Sequence, residues 1–187
     1  MQYGSHSTDQ DLRRGCLAGD RLAQKVLYQR YFGKLLGIPM RYMRNQEEAT
    51  AVMNQAFLQI FKSLELYKEE GTFQGWMSTI TFRTTMDQVR FEQRYQERVL
   101  LETKEPQPLN NQAEAQLAAE DIFRYIQRLP DHLRVVFNLY VIDDYKHEEI
   151  ATLLGITLSA SKWRLAKARE TLRAVLEPLY NQNGRSA

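Results

Sequence analysis

The chain is poor in the residues that build covalent or metal-held scaffolds. Of its 187 residues one is cysteine and three are histidine. Cys16 has no second thiol to pair with, which rules out an internal disulfide framework, and His6, His132 and His147 are too scattered for a zinc-ligand spacing. No metal and no cofactor is expected. Glycine and proline are scarce, at nine and five, so neither a repeat architecture nor a disordered coil fits. Long apolar runs are also missing. No stretch approaches the roughly 20 apolar residues of a membrane span, and residues 1–12 lack the apolar centre of a secretory signal. The expected location is the cytoplasm. Nor is there an excess of one charge: 25 basic and 23 acidic residues leave a net charge of +2, so any phosphate binding has to come from local clustering.

What the chain does have is helical periodicity. From Asp9 to about Tyr95 it reads as a series of helices, with breaks expected at Gly19, near Gly37-Ile38-Pro39, at Asn45 and around Gly71. In the middle helix Val52, Ala56, Phe57, Ile60, Phe61 and Leu64 fall at three- and four-residue intervals and form a core face. Ala51, Asn54, Gln55 and Leu58 lie on the opposite face. The next helix opens near Phe73 and carries Trp76, Met77 and Ile80, with Arg83, Asp87, Arg90 and Arg94 as a separate, mostly basic stripe. Around Pro106 and Pro108 the periodicity lapses and a linker is expected. A second helical group begins near Glu114, with Leu117, Ile122, Ile126 and Leu129 inward. Leu129-Pro130 then opens a helix carrying Leu133, Val136, Phe137 and Tyr140, and Asp143-Asp144 turns the chain. The fold class expected is all-α: two small helical domains, 1–96 and 114–187, joined by a flexible linker, 97–113.

The last part of the second domain has the spacing of a helix-turn-helix. A helix from His147 to Leu154 is followed by Gly155-Ile156-Thr157 and a basic helix from Ser159 to about Leu176. Ala151 stands four residues before Gly155, giving a small residue for close approach and a glycine for the turn. Ile150, Leu154, Ile156, Ser161, Leu165, Ala168 and Leu172 take the inward positions, which turns Ser159, Lys162, Trp163, Ala166 and Lys167 outward. These are candidate base-side residues. Arg164, Arg169 and Arg173 flank them, where they suit phosphates and supply salt-dependent affinity without sequence choice. Trp163 fits either a thymine methyl group or packing against a neighbouring helix or a partner protein.

Together these segments resemble the extracytoplasmic-function (ECF) sigma factors of bacterial RNA polymerase. In the second domain the resemblance rests on Leu129-Pro130, Arg134-Val135-Val136-Phe137, Leu139-Tyr140, His147-Glu148-Glu149-Ile150-Ala151, Leu154-Gly155-Ile156 and Lys167-Ala168-Arg169. In the first it rests on residues 16–20, Leu27-Tyr28, Arg30-Tyr31, 57–62 and Phe73-Gln74-Gly75-Trp76, leading to Ile80 and Asp87. The resemblance implies a promoter-recognition subunit whose second domain reads the −35 element as duplex, through Ser159, Ala160, Lys162, Trp163, Arg164 and Lys167. It implies that the first domain opens the −10 element and holds the exposed strand with Phe82, Arg83, Asp87 and Arg90. The face of Ala51, Asn54, Gln55 and Leu58 is similar to the surface that docks on the polymerase clamp coiled coil, and the flap is a second implied contact. An anti-sigma factor, often membrane-linked, is a further implied partner, and no small-molecule substrate is implied. The sequence departs from the family at Arg83, at Ala51 and Gln55, and at Ser159, Ala160 and Trp163, where small polar, acidic, and Gly, Thr or small polar residues are commoner.

No catalytic constellation accompanies these motifs. Glu47-Glu48 and Glu148-Glu149 are neighbours on helices and so face apart, as helix-surface or first-turn charges rather than an acid/base pair. A stand-alone helix-turn-helix regulator and a sigma-fold adaptor without promoter activity are the alternative readings.

Overall fold

The computed structural model describes residues 3–100 and 119–183, with side chains over 3–95 and 123–177. The expected linker lies outside the described residues beyond Leu100, as does Leu117. Among the described residues every regular element is helical: α1 Asp9–Leu17, α2 Arg21–Met40, α3 Gln46–Ser63, α4 Phe73–Leu100, α5 Ala119–Gln127, α6 Asp131–Phe137, α7 His147–Leu154 and α8 Leu158–Asn183. A 3₁₀ turn, Leu64–Leu66, follows α3, and a π-helical turn, Asn138–Ile142, follows α6. The chain divides into two compact units, 1–88 and 89–187.

Short polar residues start the helices of the first unit by accepting backbone N–H groups that have no partner inside the helix. Thr8 Oγ1 accepts from the Asp11 amide at 3.1 Å, and Asn45 Oδ1 accepts from that of Glu48 at 2.9 Å. Asp20 Oδ1 accepts from Leu22 and Ala23 at 2.7 and 3.1 Å. Glu48 in turn accepts the Arg44 amide at 3.0 Å and Glu149 that of Lys146 at 2.8 Å, so in each adjacent acidic pair one carboxylate closes a helix start.

The core of the first unit brings Leu12, Ala23, Leu27 and Leu35 against Met53, Phe57, Ile60 and Met77, with Tyr28 and Phe57 rings 4.6 Å apart. Gly15 sits where α1 meets α2. A Cβ there would fall 2.6 Å from the Ala23 methyl and 2.5 Å from the Tyr3 ring, so only glycine permits this approach. The expected break at Gly37-Ile38-Pro39 does not occur. α2 continues to Met40 although Pro39 has no N–H to give the Leu35 carbonyl, because Leu35 and Pro39 are both buried in the core. The Pro39 carbonyl accepts from Tyr42 and Met43, both at 2.9 Å, and closes the helix.

Four threonines sit within α4, although β-branched residues are indifferent helix formers. Thr81 and Thr85 are fully buried, and their hydroxyls donate to the carbonyls of Met77 and Thr81 at 2.9 and 2.8 Å. Thr79 and Thr84 bond back to Gly75 and Ile80 in the same way. Burial is therefore compatible with polarity.

Arg30 draws the N-terminal segment onto α2, donating to the carbonyls of Ser5 and Ser7 and pairing with Asp9 at 2.9 Å. On the outer side of α2, Gly33 and Gly37 face open space. Alanine at either is expected to stabilise the first unit by about 0.5–1 kcal/mol, the helix-propensity difference, read as a higher urea midpoint at unchanged slope.

In the second unit α6 and α8 form the centre. Leu129, Leu133, Ala168 and Leu172 are buried together with Ile126 of α5. Pro130 precedes α6, and its carbonyl accepts from Leu133 and Arg134, both at 2.9 Å.

Candidate nucleic-acid interface

Gly155 adopts the left-handed conformation, φ 68°, that ends α7 and turns the chain toward α8. Its amide and that of Ile156 both donate to the Ala151 carbonyl, the latter at 3.0 Å. Thr157 then caps α8 by accepting the Ala160 amide at 3.1 Å. Ile150, Leu154, Ser161, Leu165, Ala168 and Leu172 are buried as expected, with Ile156 half-buried.

Buried Ser161 is satisfied across the motif. Its hydroxyl lies 2.9 Å from His147 Nδ1, tying the first turn of α7 to the first turns of α8. His147 stacks on Tyr140, ring centroids 4.6 Å apart, and the Arg169 guanidinium lies 5.7 Å above that same Tyr140 ring. The angle of α8 thus has two polar or aromatic fasteners besides its apolar seam. Sequence periodicity has no signal for them, because the partners come from three separate elements.

Of the candidate upstream residues, Ser159, Lys162, Trp163 and Lys167 are exposed, while Ala160 and Arg164 are half-buried. Lys167 pairs with Glu170 at 3.0 Å, and Arg173 lies 3.8 Å from Glu177. Among the candidate downstream residues, all on α4, Arg83 and Asp87 are exposed and Arg90 is half-buried. Phe82 is half-buried and packs edge-on against Tyr42, with centroids 6.2 Å apart. The opposite face of α3 is open: Ala51, Asn54, Gln55 and Leu58 are all exposed, Leu58 at 60%, and Asn54 accepts the Tyr28 hydroxyl at 2.8 Å.

The segment that leads into α4 is built by a residue the sequence did not single out. Arg13 of α1 donates to the Leu64 and Tyr67 carbonyls at 3.3 and 2.9 Å, pairs with Glu69 at 2.9 Å, and lies over the Tyr67 ring. Its partners stand more than fifty residues away, so no local pattern could have pointed to it.

Burial pushes the Cys16 thiol up to about 11, aided by the Asp20 charge, which leaves it protonated and unreactive at neutral pH. Among the described residues no His, Cys, Asp and Glu cluster could hold a metal ion. No described helix is long and apolar enough to cross a membrane.

His132 gives the second unit a pH response. Chiefly burial, with the Arg164 charge adding and Asp131 opposing, holds its pKa below the usual 6.5. The unfolded chain therefore binds this proton more readily than the folded one, so stability is lost as pH falls below 6.5. Urea midpoints followed from neutral pH to about pH 5 are expected to fall, and His132→Gln to flatten this part of the profile.

Comparison with known proteins accounts for both units. The Sigma-70 region 2 family model matches residues 27–95, and the Sigma-70, region 4 model matches residues 119–172. The RNA polymerase sigma-H factor of Pseudomonas aeruginosa is 25% identical over 93% of this chain and 96% of its own length. The ECF RNA polymerase sigma-E factor of Escherichia coli K12 is 25% identical over 94% of this chain and 97% of its own. Among solved structures, the sigma factor RpoE in complex with the anti-sigma factor NepR from Bartonella quintana is similar at a TM-score of 0.49 and 14% identity, over 82% of this chain and 96% of that one. The two sigma regions occur in order, and the relatives align over nearly their whole lengths; the chain belongs to the ECF sigma factors of the sigma-70 family.

Proposed function

We propose that the chain is a promoter-specificity subunit, which binds core RNA polymerase and directs initiation at promoters with −35 and −10 elements. The observation that carries this reading is the order of the two sigma regions along one chain, the second holding an exposed basic helix behind the Gly155 turn. A stand-alone regulator would have no use for the first region. The sigma-70 family is not an enzyme family, and in this reading the phosphoryl chemistry is done entirely by the polymerase.

Residues 1–96 would serve core docking and the −10 element, 97–113 would link, and 114–187 would read the −35 element. On α8, Ser159, Ala160, Lys162, Trp163, Arg164 and Lys167 face the upstream duplex, while Arg169 and Arg173 suit its phosphates. On α4, Phe82, Arg83, Asp87 and Arg90 hold the opened downstream strand. An aromatic ring among cations suits unstacked bases and their backbone. On α3, Ala51, Asn54, Gln55 and Leu58 dock on the polymerase clamp, and the flap contacts the second unit. An anti-sigma factor would cover these surfaces in the resting state, and the site of action is the cytoplasm.

Run-off transcription of genomic fragments by core polymerase plus this chain tests the proposal. Discrete transcripts that require the added chain are expected. Tight operator binding by the isolated chain, with no association with core, would favour the stand-alone regulator instead, and association with core without any transcript would favour an adaptor.

A further inference from the structure

We infer that Trp163 reads the 5-methyl group of a thymine in the major groove of the upstream element. This rests on the sigma-subunit reading above and adds to it a base and the chemical group recognised.

Trp163 is the sixth residue of α8 and is 60% exposed. It stands two residues from both Ser161 and Leu165, which are buried, so at about 100° per residue it lies on the opposite side of the helix from the core. Among the described residues no hydrogen bond or ring contact engages the indole, and the larger part of its surface is left open to solvent. Its neighbours on the same face are mostly small. Ser159 and Ala160 precede it by four and three residues and Ala166 follows by three; the one long side chain at this spacing is Lys167, four residues on, which pairs with Glu170. The charges around it select the partner. Lys162 and Lys167 are exposed beside it, with Arg169 and Arg173 further along, and although Glu170 pairs with Lys167 and Glu177 lies near Arg173 the excess of basic residues suits a polyanion better than an apolar protein groove.

An apolar ring presented to the major groove finds one apolar group there, the thymine methyl. The adjacent thymine O4 is an acceptor, which also suits the indole N–H. Cytosine offers a donor at the corresponding position, and the purines offer no methyl. Thymine alone matches both features of the side chain. Small residues at 159, 160 and 166 let the ring reach the groove floor.

The test uses core polymerase reconstituted with the full chain, on a promoter found by run-off transcription. Each thymine of the upstream element is replaced in turn by uracil, which lacks only the methyl group. At one position the wild-type complex is expected to lose about fourfold in affinity, the worth of one methyl removed from water. Trp163→Ala should bind less tightly and become indifferent to uracil at that position alone, while Trp163→Phe, which keeps an apolar ring, should retain the difference. Wild-type indifference to uracil at every position overturns the inference while leaving the sigma reading standing. So does an undiminished thymine preference in Trp163→Ala, or a variant that transcribes normally and has lost only its affinity for a protein partner. Failure to initiate on any fragment overturns the sigma reading and this inference with it.

Discussion

Replacing Leu58 by glutamate is expected to weaken binding to core RNA polymerase sharply while leaving the melting temperature unchanged. Leu58 lies on the outer side of α3, 60% exposed, and the core-facing positions of that helix are Ala49, Val52, Met53, Ala56, Phe57 and Ile60. The helix thus packs fully without it. A leucine open to water amid Ala51, Asn54 and Gln55 is suited to a groove on a partner, with the polar residues as a rim. A carboxylate in that groove would lose its hydration without gaining a counter-charge. The expected loss of core affinity is on the order of a hundredfold, the range of a central interface residue replaced by an unpaired charge. Competition for core against the wild-type chain measures it. Undiminished competition by Leu58→Glu would move the docking surface away from this face of α3.

Loss of Arg134 is the second large effect, and it acts through stability rather than through contact with a partner. Arg134 is 2% exposed, and its guanidinium donates to the carbonyls of Gln127 and Leu129 at 3.0 and 3.2 Å and pairs with Asp131 at 2.8 Å. Gln127 is the last residue of α5, where helical carbonyls have no partner within the helix. One buried cation thus closes α5 and fixes the turn into α6. Arg134→Leu would leave those carbonyls buried and unsatisfied, at a cost of about 2–4 kcal/mol. In a unit this small that is much of the total stability. A fall in the second unit's melting temperature on the order of 15 °C is expected in calorimetry. Core association through α3 should persist, while initiation that depends on the upstream element declines. A variant melting with the wild type would show that the carbonyls find other donors.

How far the fold could be read in advance depended on how local its causes are. α7 was legible from His147 to Leu154, because an apolar three-four pattern and a terminal glycine are written within a few neighbouring residues. The exposure of Ala51, Asn54, Gln55 and Leu58 followed from the same arithmetic. The expected break at Pro39 failed because local preference was outweighed by burial: Leu35 and Pro39 both enter the core, and packing carries α2 through to Met40. Arg164 and Ala160 illustrate the limit on α8. Period placed Arg164 beside the outer face and the family resemblance added Ala160, yet both are half-buried.

The helical class and the helix-turn-helix were written in short-range spacing, and the sigma family in short motifs that resemble it. Tertiary structure alone decided which polar groups meet. Arg13 with the carbonyls of 64 and 67, Arg134 with those of 127 and 129, and His147 with Ser161 are contacts between separate elements. Helical period states which way a side chain faces, whereas the identity of its partner depends on how helices far apart in sequence pack. For the same reason Trp163 could be assigned to the outer face from sequence, but how far it stands open to solvent, 60%, required the packed structure of the second unit.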